Sequence, residues 1–226
     1  MYNKIKNIFR LRSRQAGFTL LEMLIALSVI SVGVMAAFTL STANLNTAKA
    51  NYSRVLAANL AREGLEAVRN IRDTNWLKIQ ANATCGATVC TWDNNLDQGT
   101  STISYDSGDD LGDEVNADNI ETCFNATTCA LKKLDDHGTY YYQHTSGNTT
   151  NMARLIILKA ICRDTDGSVA LPDQYGIVVA GSLTCDVDYE EKVGLQVTSQ
   201  VYWQDFNKSH TLEAVEELYN WREYEN

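Results

Sequence analysis

From Phe18 to Leu40 the chain reads FTLLEMLIALSVISVGVMAAFTL, and Glu22 is its only charged residue. About 23 residues at about 1.5 Å each cross a hydrocarbon core of roughly 30 Å, so this run is long enough to span a bilayer as one helix. No later stretch of the chain has that length and apolarity. The residues before Gly17 include Lys4, Lys6, Arg10, Arg12 and Arg14 and no acid, which keeps this end on the cytoplasmic side and puts the chain beyond the span outside.

An acid so near the start of a span needs an explanation, because an acid at the centre of an inserted helix costs about 2.5 to 3.5 kcal/mol and one near the end costs less but is still uncompensated. A secretory signal would lead from basic residues straight into the apolar core and be cut after small residues, a site that Ala48-Lys49-Ala50 would supply. That reading leaves Glu22 without a purpose, as does a plain uncleaved anchor. Cleavage between Gly17 and Phe18 instead creates a free amino terminus four residues from Glu22 and so provides a cation for the acid.

A basic leader ending in Gly17, followed by Phe18-Thr19-Leu20-Leu21-Glu22-Met23-Leu24-Ile25-Ala26-Leu27, resembles the class III signal of type IV prepilins and of the pseudopilins of type II secretion and DNA-uptake systems. The resemblance is strong over roughly residues 10 to 40 and extends beyond them in pattern only. It implies cleavage after Gly17 by a membrane prepilin peptidase, N-methylation of Phe18, and polymerisation with other pilin subunits through the apolar helix on an assembly platform. In that setting Glu22 would pair with the Phe18 amine of its own chain in the membrane lipid and of a neighbour in a fibre, fixing register, since a misplaced subunit would bury an uncompensated charge. One departure is that many major pilins carry a proline near the end of the apolar run, where this chain has Thr39; its one proline is Pro172.

The remaining chain is ordinary for one globular head, with 45% hydrophobic and 21% charged residues overall. Removing the leader's five cations leaves 14 basic against 28 acidic residues, a formal net charge of −14. Such a balance argues against nucleic-acid binding by a broad basic patch. Cys85, Cys90, Cys123, Cys129, Cys162 and Cys185 all lie beyond the span, and an even set outside the cytoplasm reads as disulfides. Many pairings are open to six cysteines; the local one, 85 with 90, 123 with 129 and 162 with 185, is the expectation adopted. The competing metal reading is weak, because the cysteine spacings do not suit zinc and His137, His144 and His210 are scattered. No metal and no cofactor is expected.

Past the span, Leu45, Ala48, Tyr52, Val55, Leu56, Leu60, Leu65, Val68 and Ile71 recur at three- and four-residue steps with charges between them, predicting one helix from Phe18 to Arg72 whose second half packs under a head. Residues 73–138 are rich in Asn, Asp, Thr and Gly and read as an irregular connection holding two small cysteine loops. Acidic turns at Asp106 to Glu114 and Asp164 to Gly167 lack the spacing of a calcium loop and read as solvated. The sequon beginning at Asn207, like four others, is expected by chance in so polar a chain. Strand signals come next, at Thr139–His144, Met152–Cys162, Tyr175–Ala180 and Lys192–Trp203, while Lys208–Trp221 has helical spacing in Leu212, Val215 and Leu218 although the resembling family favours a strand there.

The fold expected is α+β, a long N-terminal helix against a C-terminal antiparallel sheet. Its parts are a leader (1–17), an assembly half of the helix (18–42), an amphipathic half (43–72), a disulfide-containing connection (73–138) and a sheet (139–226). No phosphate loop, nucleophile elbow or zinc-protease motif is present, so no catalytic residue is assigned. The mature length of 209 residues favours a minor pilin, with a pseudopilin of a secretion or competence system as the alternative. A membrane-tethered binding module or enzyme that never polymerises is the reading from a different class.

Overall fold

The computed structural model describes residues 19–85, 88–104, 110–112, 114–115, 119–163, 177–185, 191–205 and 208–221. The leader with Gly17 and Phe18, most of the stretch from Asp106 to Glu114, and the positions 164–167, Pro172 and Asn207 lie outside them. The chain falls into two units, one through Lys49 and one from Ala50 onward.

Helix α1, Leu20–Gln80, is the described element of the first unit and continues as the first element of the second. In the second unit β1 (Thr84–Cys85) and β2 (Thr88–Val89) form a small antiparallel hairpin. The main sheet has β3 (Thr100–Ser101), then, after the short helix α2 (Ile120–Asn125), β4 (Ala130–Asp136), β5 (Thr139–Gln143), β6 (Asn148–Arg163), β7 (Ile177–Val179), β8 (Glu191–Asp205) and β9 (Lys208–Tyr219). All pairings are antiparallel, in the order β5-β4-β6-β8-β9, and β3 and β7 also pair with β6. The result is a long N-terminal helix packed against a C-terminal antiparallel sheet, the α+β layout of pilins.

The organising strand is β6. Its run Leu155-Ile156-Ile157-Leu158 is apolar on both faces, as a central strand must be when both faces are covered, and it pairs with β8 along one edge and with β4, β3 and β7 in turn along the other. On one face Leu60 and Ala61 of α1 pack with Met152, Val201 and Trp203, and further along Val68 and Ile71 pack with Ile156, Leu158 and Leu195. On the other, α2 packs through Ile120 and Cys123 against Ala153, Leu155 and Tyr202. Each fully buried Leu or Ile contributes about 1.5 to 3 kcal/mol, so these clusters hold the helices to the sheet.

The buried face of α1 differs from the expected stripe. Leu60, Leu65, Val68 and Ile71 are buried, but Leu45, Tyr52 and Val55 are exposed, and Ser53, Ala57, Ala61 and Gly64 take the inward positions. Small residues win because the helix runs close to the sheet: a Cβ at Gly64 would lie 2.6 Å from Ser199 Oγ and 2.9 Å from Ile156 Cδ1. Beside this contact Arg154 is fully buried. Its Nη1 donates to the Leu60 carbonyl at 3.1 Å and to Glu63 Oε1 at 2.9 Å, and its Nη2 donates to the Ile103 carbonyl at 2.5 Å. One side chain therefore ties helix, loop and central strand together.

The region 73–138 is more ordered than its composition suggests. The helix runs on to Gln80 because Asn75, buried, donates through Nδ2 to the carbonyls of Trp92 and Asn94 at 3.2 and 2.6 Å, which pins the last turns to the next loop. Strand β4 takes a place inside the sheet, joined to β5 by a turn in which His137 and Gly138 both have positive φ, the geometry that matches strand twist. The ambiguous segment after Lys208 is a strand. Its Leu212, Ala214 and Leu218 alternate inward while Val215 points out at 55% exposure, a period of two that the helical spacing of Leu212, Val215 and Leu218 concealed. Disulfides join Cys85 to Cys90, Cys123 to Cys129 and Cys162 to Cys185, the sequence-neighbour pairs. The last closes 23 residues between β6 and the segment after β7, worth about 3 kcal/mol on a chain-entropy basis.

Burial, then the positive fields of Arg154 and Lys132, hold the His144 pKa down at about 3. Unfolding lets this imidazole take a proton below its free value of about 6.5, so its contribution to stability is complete above that pH and is lost as pH falls towards 3. A His144→Gln variant is expected to show a flatter acid limb, by about 3 kcal/mol near pH 4, when urea midpoints are compared with wild type across pH 4 to 7. Parallel acid limbs would contradict it.

Candidate assembly site

The first turn of α1 is built from its own sequence. Thr19 precedes the helix, and its Oγ1 accepts a hydrogen bond from the Glu22 N–H at 3.3 Å. With an acid at the third helical position this is the capping-box spacing, T-x-x-E, and the helix dipole also favours a negative group there. Sequence reasoning missed Thr19, although the four-residue pattern is the signal that finds it. Glu22 thus has a local reason for its position besides any partner: a carboxylate in the first turn of a helix is favoured by the helix dipole. Gly17 and Phe18, the residues expected at the scissile bond, lie outside the described residues.

Beyond that turn the apolar surface has no cover among the described residues. Leu20, Leu21, Met23, Leu24, Ile25 and Leu27 are all more than half exposed, as are Val29 to Leu40 at their large apolar positions. The helix is long and apolar enough to cross a membrane, and none of its most apolar window is buried. The hydroxyls in it do not disturb this, because each bonds back to its own helix: Ser28 to the Ile25 carbonyl at 2.7 Å, Ser31 to Ser28 at 2.8 Å, Thr39 to Met35 at 2.9 Å and Thr42 to Thr39 at 2.9 Å. In hydrocarbon such groups would otherwise lack partners. Thr39, standing where many pilins have proline, leaves the helix unbroken here.

A surface of this kind serves either lipid or other apolar helices. Residues 12–38 match the family model described as the prokaryotic N-terminal methylation motif. The chain carries a pilin-type signal. The match begins in the basic leader, crosses Gly17 and Phe18, and takes in Glu22 and most of the apolar half of α1, so the features that resisted a secretory or plain-anchor reading belong to one motif. It supports a type IV pilin-like or pseudopilin precursor, and the one helix among the described residues that is long and apolar enough to cross a membrane fits an N-terminal anchor. No curated protein and no solved structure matches the chain. The head therefore contributes its fold and no family. Among the described residues no group of three or more His, Cys, Asp or Glu is arranged to hold a metal ion.

Proposed function

We propose that this pilin-like chain is a minor subunit of a type IV pilus, cut after Gly17 by prepilin peptidase, methylated on Phe18 and assembled with other pilins on a membrane platform. The observation that carries the reading is the methylation motif over residues 12–38, running into a helix whose apolar half is exposed throughout. Residues 18–42 act as the assembly segment, in the bilayer before polymerisation and among neighbouring helices after it. The burial that lipid supplies is then supplied by other subunits, so transfer from membrane to fibre leaves no apolar surface in water.

Glu22 sets the register. Entering an apolar bundle, its carboxylate is tolerated only where a cation meets it, and the nearest one the chain can offer is the new amine of a neighbour's Phe18. The head is large for a repeating subunit, with 209 residues remaining after processing, which supports a minor role. Shearing surface fibres from cells of the native background tests this: the chain should be recovered there as a small fraction of total pilin, and should stay uncut in cells lacking prepilin peptidase. Retention of all the processed chain in the envelope, with protein secretion or DNA uptake lost on deletion, would assign it to a pseudopilus instead.

A further inference from the structure

Strand register sorts the residues of β8 and β9 between two faces. Leu195, Ser199 and Val201, with Leu218, Ala214 and Leu212 opposite them in turn, face α1. The residues between them turn the other way, where Tyr202 meets Phe124 of α2 with ring centroids 5.0 Å apart. On that outer face Asn119, Glu121, Gln200, Tyr202, Thr211 and Glu213 line an open cleft of about 330 Å³. It holds two carboxylates. Glu121 accepts from the Tyr202 hydroxyl at 3.5 Å and Glu213 accepts from Gln200 Nε2 at 2.7 Å, and neither makes an ion pair among the described residues. Val215, 55% exposed, lies beside it two residues from Glu213.

The opposite surface of the same unit has complementary character. On the exposed side of α1, Tyr52, Val55, Asn59 and Arg62 follow one another at three- and four-residue steps, with Tyr52 at 67% and Val55 at 62%. Arg54 is exposed beside them, and neither arginine has an ion pair among the described residues. An apolar pair next to a guanidinium on one side thus matches an apolar Val215 next to two carboxylates on the other.

We propose that the cleft receives Arg62 of a second copy of this chain, with that copy's Tyr52 and Val55 against Val215, so that the chain enters a fibre as runs of adjacent copies. The inference rests on the polymerising function argued above. Identical mature chains each carrying a formal charge of −14 repel one another, and a contact between them needs a local exception; Arg62 in this cleft is one. The two surfaces lie on opposite sides of the sheet and do not match themselves, so the contact is heterologous and leaves a free cleft at one end and a free helix face at the other. Adding copies by such a contact continues without closing into a dimer.

All six cysteines are paired, so introduced thiols are the only reactive ones. Full-length Arg62→Cys and Glu213→Cys chains, coexpressed in the native background, should be joined by a short bismaleimide in sheared fibres, whereas each alone should give no dimer; both substitutions on one chain should give a ladder. As a second readout, Arg62→Glu should lower the fibre content of the chain about tenfold and Glu213→Arg in the same chain should restore it. Chain recovered in fibres without the mixed cross-link, or cross-linked within a single variant alone, overturns this contact and leaves the polymerising function standing. Absence of the unsubstituted chain from fibres overturns both.

Discussion

Glu22→Gln should be cut after Gly17 as efficiently as wild type and then accumulate in the membrane, its share in sheared fibres falling at least about tenfold. The substitution is informative because of what it keeps. Gln serves the third position of a capping box as Glu does, and the backbone N–H that Thr19 Oγ1 accepts is untouched, so the first turn of α1 is preserved and only the charge is removed. Insertion into lipid becomes easier without the carboxylate. A loss confined to assembly then isolates the pairing between Glu22 and a neighbour's amine. Incorporation equal to wild type would contradict the register role and leave Glu22 as an acid favoured only by the helix dipole.

The N-terminal signal and the long helix of this molecule were legible because their signals are local. A basic leader, a glycine, an apolar run and one acid lie within about thirty residues and need no tertiary contact to be read, and the long helix arises from periodicity and the near absence of breakers. The strands from Thr139 to Trp203 were legible for the same reason. What sequence concealed depends on distance. Ser53, Ala57, Ala61 and Gly64 look like a weak stretch of helix until the sheet is placed against them, and Tyr52 and Val55 look like core although both stay exposed. Arg154 breaks an apolar strand for a reason 94 residues away, the Leu60 carbonyl. In the stretch 73–138 polar composition hid both the end of the helix and β4, where Asn75 and the flanking strands supply the order that apolar patterning does not.

Arg154→Ala should destabilise the head by about 3 to 5 kcal/mol, through a cavity in the sheet and the loss of hydrogen bonds to the Leu60 and Ile103 carbonyls. Glu63, whose side chain is 40% exposed, can turn to water once its partner is gone, so the cost comes from the fork and its volume more than from a stranded acid. Against a typical domain stability of about 5 to 15 kcal/mol, the variant head would be poorly populated at growth temperature. Arg154→Lys keeps the charge but reaches fewer of the three acceptors, and should lie between, at about 1 to 3 kcal/mol. Urea unfolding of the full chain in detergent, followed by tryptophan fluorescence, to which buried Trp92 and Trp203 contribute, measures both. An Arg154→Ala midpoint matching wild type would show that the guanidinium is not what joins α1 to β6.

The most direct measurement is the mass of the mature N-terminal peptide. The methylation motif and the basic leader support opening of the chain between Gly17 and Phe18, and the proposed pairing of Glu22 depends on it. Protein extracted from membranes or fibres of the native background, digested and analysed by tandem mass spectrometry, should yield a first peptide beginning at Phe18 and carrying one methyl group on its amine. It should shift to the intact leader when prepilin peptidase is absent. A mature chain that begins after Ala50, or one that retains Met1 in the presence of the peptidase, would contradict the account at its root.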